Sequence, residues 1–141
     1  MKTLLASLVA LLLIGAVQHA VAQDNPESMV AIYNVSTGKH LEFLKLMAET
    51  EAVTREAGAP ATQWYVHHNG ASWDYISITP LGSPTQQEAM EKKVDELRKK
   101  KGLPTGMAAS LRFRQFISSH SDTYSGGPYT AEQLVKMAEG K

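Results

Sequence analysis

The chain is 141 residues long, carries 14 Lys+Arg against 14 Asp+Glu, and has no cysteine. That is the length of one domain, and its balanced charge gives no electrostatic case for nucleic acid or an acidic membrane as the main partner. Disulfides, thiolate metal sites and thiol nucleophiles are excluded, and no P-loop, paired-glycine dinucleotide fingerprint or serine elbow occurs.

Residues 1–22 have the three parts of a secretory signal peptide. Lys2 is a short positive start, Leu4 to Val17 is an apolar run, and Ala20-Val21-Ala22 is a small-x-small cleavage site. The run is shorter than the ~20 residues a spanning helix needs. Export is therefore expected, to periplasm or medium, with a mature start at Gln23 and no stable membrane anchor after cleavage. Residues 23–28 are polar, contain Pro26 and form a leader.

Met29 to Val35 is a nearly continuous apolar run with β-branched members, the pattern of a strand covered on both faces. Asn34-Val35-Ser36 matches a glycosylation sequon, by chance on the simplest reading. Ser36 is expected to open a helix that Gly58 and Pro60 stop. Leu41, Leu44, Ala48 and Ala52 share a stripe on it, widened by Phe43, Leu46, Met47 and Val53.

Two aromatic and β-branched runs follow, Ala61–His68 and Ser72–Thr79, with the hairpin dipeptide Asn69-Gly70 between them and Pro80 at the end. A two-residue turn puts Thr62, Trp64, Val66 and His68 on one face with Ala71, Trp73, Tyr75 and Ser77. A three-residue turn swaps the partnerships. On the first register the Ile76/Ile78 face packs on the helices and the Trp64/Trp73 face is turned away from them.

Ser83-Pro84-Thr85-Gln86 is a capping box with proline at the first helical position. Ala89, Met90, Val94 and Leu97 give that second helix its apolar stripe. Arg98 to Lys101 reads as a solvated, dipole-complementing end. Between Thr105 and Ser118, Met107, Leu111, Phe113, Phe116 and Ile117 suit a helix, although part of the pattern also alternates as in a strand. A helix and then a final strand near His120 to Ser125 is the favoured reading. Residues 126–141 hold a Gly126-Gly127-Pro128 turn and, behind the capping box Thr130-Ala131-Glu132-Gln133, a short tail helix.

The order β-α-β-β-α-(α)-β-α over 29–125 predicts an α+β domain of ferredoxin-like type, an antiparallel sheet with helices on one face. The central hairpin carries large side chains on both faces, too many for one helical layer to cover. A second copy packed against the open face, giving a homodimer, resolves this.

With Val30-Ala31-Ile32-Tyr33 ahead of the long helix and Trp73-Asp74-Tyr75-Ile76-Ser77-Ile78 after the hairpin, the chain resembles the dimeric α+β barrel proteins. These include the antibiotic-biosynthesis-monooxygenase-like domains. The resemblance covers Met29 to Ser125 and implies two sheets facing each other around a lumen. Members include cofactor-free oxygenases, haem-degrading enzymes, haem peroxidases and proteins with no assigned activity. The lumenal Trp, Asn and Tyr or His of the monooxygenases are matched by residue type at Trp64, Tyr65 and His67 or His68.

Trp64, Val66, Trp73 and Tyr75 are thus candidate ligand-binding residues for a small hydrophobic or aromatic molecule. The competing reading is that these aromatics fill the barrel or the dimer interface. In a cofactor-independent monooxygenase acting on an aromatic substrate, His67 or His68 would be the base. Trp64 or Asn69 would then help to hold an anionic intermediate. No cofactor is expected. For a metal, the candidates are His120 and Asp122, which share a face if their segment is extended and would need His67 or His68 as a third ligand. Otherwise His120 is a structural histidine oriented by Asp122.

Overall fold

A computed structural model describes residues 27–140. The segment read as a signal peptide and most of the leader lie outside the described residues. The elements are β1 (Ser28–Val35), α1 (His40–Ala57), β2 (Gln63–Val66), β3 (Tyr75–Pro80), α2 (Pro84–Lys100), α3 (Gly106–Arg114), β4 (Ile117–Ser125) and α4 (Ala131–Ala138). The strands form one antiparallel sheet in the order β2-β3-β1-β4. The fold is α+β and ferredoxin-like, with α3 inserted before the last strand and α4 appended after it.

Helix α1 begins at His40 rather than Ser36, because Ser36 accepts from Lys39 N–H in a turn where Gly38 has φ +76°. It ends as expected at Gly58, left-handed at φ +99°. Its buried side is Phe43, Leu46, Val53 and Ala57. The stripe expected to lead, Leu41, Leu44, Ala48 and Ala52, is turned outward, with Leu41 62% and Leu44 39% exposed. Aromatic contact decides the rotation. Phe43 is fully buried and its ring lies 5.2 Å from Tyr33, 6.2 Å from Trp64, 5.6 Å from Tyr75 and 6.4 Å from Phe113. Leucine offers no such edge and face geometry. Loss of a side chain like Phe43 to alanine costs about 3–5 kcal/mol.

The same contacts correct the facing of the hairpin. Trp64 stands opposite Ser77 and Val66 opposite Tyr75, so Trp64, Tyr75 and Ser77 share a face, and that face is the one under α1. Val30, Ile32, Ile76 and Ile78 lie on the opposite face, half-buried. The expected assignment of Ile76 and Ile78 to the helices is therefore reversed. Nor does a two-residue turn join β2 to β3. Pairing stops at Val66–Tyr75, and residues 67–74 form a loop. Asp74 is taken out of the strand because its backbone N–H reaches Tyr33 and its carboxylate accepts from Val35 N–H at 2.7 Å.

Helix α2 has the anticipated capping box at Ser83 and Gln86. Its end is less solvated than expected, for Arg98 is buried and donates to the Pro104 carbonyl at 2.7 Å. Lys101 reaches Glu56 of α1 at 2.8 Å, and this hydrogen bond holds the Glu56 carboxyl below its ordinary value. Helix α3 is joined to α1 by Arg112 and Glu49, the two terminal guanidinium nitrogens donating to the two carboxylate oxygens at 2.6 and 3.2 Å. The final strand starts at Ile117, earlier than expected, and pairs with the whole length of β1 past an irregularity at Asn34/Val35. In α4, Leu134, Val135 and Met137 are exposed behind an intact capping box at Thr130.

Candidate functional site

Between α1, α2 and the sheet lies a cleft of about 770 Å³, within the usual ~300–1,000 Å³ range of small-molecule sites. Helix α1 contributes Met47, Thr50, Glu51, Thr54 and Ala57, a run at helical spacing that puts small and hydroxyl side chains under the gap. Trp64, Ser77 and Thr79 form the sheet side, and Ala89 and Met90 the α2 side. Ala57, Gly58, Ala59, Gly82 and Ala89 are too small to close the space.

Several polar groups between α1 and the sheet are bonded to one another. Trp64 Nε1–H donates to Glu51 Oε1. The Thr62 and Thr79 hydroxyls are 3.0 Å apart, and the Tyr33 and Ser77 hydroxyls 3.3 Å. Thr54 donates back to the Glu51 carbonyl at 3.1 Å. Burial raises the Tyr33 phenol above its ordinary value, an effect the Ser77 bond opposes and the carboxylates of Asp122 and Glu51 reinforce. Among the described residues no fully buried side-chain nitrogen or oxygen lacks a partner. An apolar molecule with one or two polar substituents suits such a surface.

Of the residues singled out from sequence, Trp64 lines this cleft. Tyr75 stacks on Phe43 and meets His40 at the other end of the sheet. Val66 is exposed at the end of β2, and Trp73 packs edge-on against His67 with centroids 5.3 Å apart. His67 Nδ1 lies 2.9 Å from the Asn69 carbonyl oxygen, and His68 is exposed on the same loop. The cleft lining contains none of His67, His68, Asn69, Val66, Trp73 and Tyr75. The two faces of β2 separate Tyr65 from Trp64, and Tyr65 bonds Gln63 instead.

His120 and Asp122 do share a face, the one beneath the helices, with Nε2 and Oδ2 3.6 Å apart. His120 packs edge-on to Phe113 at 5.3 Å. Among the described residues no third His, Asp or Glu joins them in a metal-sized cluster. At that separation the two side chains form no hydrogen bond.

Glu51, Tyr33, Thr62 and Thr79 were not singled out from sequence. The signal available was the Met47-x-x-Thr50-Glu51-x-x-Thr54-x-x-Ala57 spacing, a helical stripe of small and hydroxyl residues beside the apolar one.

No family model matches the chain, and no curated protein matches its sequence. Solved structures do match its fold. A NIPSNAP family protein from Agrobacterium tumefaciens superposes with a TM-score of 0.52 at 19% identity, over 74% of this chain and 94% of that one. An uncharacterized NIPSNAP domain protein from Burkholderia xenovorans gives 0.50 at 13%, over 74% and 96%. A protein assigned as an antibiotic biosynthesis monooxygenase from Nitrosomonas europaea gives 0.50 at 11%, over 74% and 92%. These likenesses show a shared ferredoxin-like α+β fold.

Proposed function

We propose that the protein is an exported homodimer that binds a small, largely apolar molecule in the cleft between α1, α2 and the sheet. The observation that carries this reading is the cleft itself: an apolar space of ligand size, with Trp64 on one wall and a short set of polar groups converging on it. The test is to fill it. Replacing Ala89 with Trp places an indole where a methyl group now lines the space. Binding of 9-methylanthracene, followed by quenching of tryptophan fluorescence, should fall at least about tenfold, a loss of some 1.4 kcal/mol. Unchanged binding would remove the cleft from consideration.

Export rests on residues 1–22, and the exported protein should have the mass of a chain beginning at Gln23. The homodimer rests on the apolar sheet face Val30, Ile32, Ile76 and Ile78, which α1 does not cover. A second reading, cofactor-independent oxygenation of an aromatic substrate, is favoured by one feature, a carboxylate at the wall of an apolar cleft. There Glu51 would take the proton that activates the substrate, since His67, His68 and Asn69 stand on the loop outside. Substrate-dependent oxygen uptake lost in Glu51→Gln would distinguish catalysis from binding.

A further inference from the structure

We infer that Glu51 sets the ligand class of the cleft: an apolar molecule that presents a hydroxyl or a protonated amine, with carboxylic acids turned away. This rests on the reading of the cleft as a binding site and adds to it the chemistry of what is bound.

Three charged side chains belong to the lining, Glu51, Glu91 and Lys93. Glu91 and Lys93 are exposed on α2, and Lys93 Nζ lies over Gly58 at the end of α1, 3.9 Å from where a Cβ there would stand. They are rim charges, solvated and screened. Glu51 differs from both. It is half-buried on the α1 wall and is held against the sheet by the Trp64 indole.

A carboxylate has about four acceptor sites and no donor. Trp64 occupies a site on one oxygen, and the carboxylate keeps acceptor sites beyond that one. Thr54, the hydroxyl one turn along, spends its proton on the Glu51 backbone carbonyl. The nearest unfilled need of this wall is therefore a donor.

The sheet side complements it. In each hydroxyl pair, Thr62 with Thr79 and Tyr33 with Ser77, one proton makes the mutual bond, so the other O–H stays free to rotate toward a ligand acceptor. A molecule with a donor at one end and a carbonyl or ether oxygen further along would satisfy both walls. A ligand carboxylate would set a second negative charge near Glu51 in a partly dehydrated space, where like charges repel far more than in water. Fatty acids and aryl acids thus fit the shape of the cleft and not its charge.

The experiment uses a matched probe series, 9-methylanthracene, 9-anthracenemethanol and 9-anthracenecarboxylate, titrated against the intact protein at pH 7.5 with fluorescence readout. The alcohol should bind tighter than the methyl compound, and the carboxylate about tenfold weaker than the alcohol or worse. In Glu51→Gln, which keeps an amide oxygen for Trp64, the gap between alcohol and carboxylate should shrink to within about threefold. In Lys100→Gln, an exposed change outside the lining, the wild-type order should persist. A carboxylate that binds wild type as well as the alcohol does overturns the inference without any variant. So does a gap unchanged by Glu51→Gln in a variant with native circular dichroism. If all three probes bind alike, Glu51 has no such role while the cleft still binds. If none binds, the binding site and the inference fall together.

Discussion

The indole of Trp64 donates to the carboxylate of Glu51, and this bond joins β2, the short edge strand of the sheet, to the middle of α1. It spans the cleft wall, so the same contact that anchors the edge strand also orients the one half-buried acid facing the cavity. A hydrogen bond to a charged acceptor contributes about 1.5–3 kcal/mol, less where solvent reaches it. A double-mutant cycle on Trp64→Phe and Glu51→Ala, measured by urea unfolding, should return a coupling of about 1–2 kcal/mol. Additive effects of the two changes would show that the contact holds nothing.

Tyr33 supplies a pH signature. Burial keeps its phenol protonated above the ordinary value of 10.0, with the nearby carboxylates of Asp122 and Glu51 adding to the effect. The folded state holds that proton more tightly than the unfolded chain does. The associated stability is therefore complete below about pH 10 and is lost as pH rises through the raised folded value. Unfolding midpoints should fall as pH rises above about 10, and fall less steeply in Tyr33→Phe. Identical slopes for the two proteins would mean that Tyr33 is not shielded from water.

Much of the fold was legible from local signals. Gly58, the Ser83 and Thr130 capping boxes, and the order of strands and helices depend on neighbours in sequence, and each stands where its residues indicate. What was not legible depends on the third dimension. The pattern of α1 admits two adjoining apolar faces, and the ring contacts of Phe43 select one of them. The hairpin pattern assigns partners to a face but does not say which face meets the helices. Trp64 and Tyr75 lie under α1 because the aromatic cluster forms there. Asn69-Gly70 promises a tight turn, yet the Asp74 bonds to β1 end the ladder sooner. The cleft was hidden for a related reason: Glu51 and its threonines look like an ordinary polar flank until α2 is seen to stand off from them.

The proposed homodimer has a direct test on the sheet face that α1 leaves open. Val30, Ile32, Ile76 and Ile78 lie together there across β1 and β3. Covering such side chains gains about 1.5–3 kcal/mol each before the cost of association. A twofold axis presents the same patch to itself, which closes the assembly. Ile76→Glu should shift the protein from dimer to monomer in light scattering, whereas Lys100→Glu on the exposed side of α2 should not. A wild-type chain that stays monomeric at micromolar concentration would contradict the dimer and leave the cleft untouched.

The most direct measurement of the central claim is a map of where an apolar probe sits. Backbone amide shifts of the labelled protein, followed during titration with 9-anthracenemethanol, should move at Thr50, Glu51, Thr54, Trp64, Ser77 and Thr79, the residues that enclose the cleft. The loop from His67 to Asp74 and the sheet-face residues Ile32 and Ile76 should stay in place. Saturable shifts centred on that loop or that face, with the cleft amides unmoved, would contradict the account.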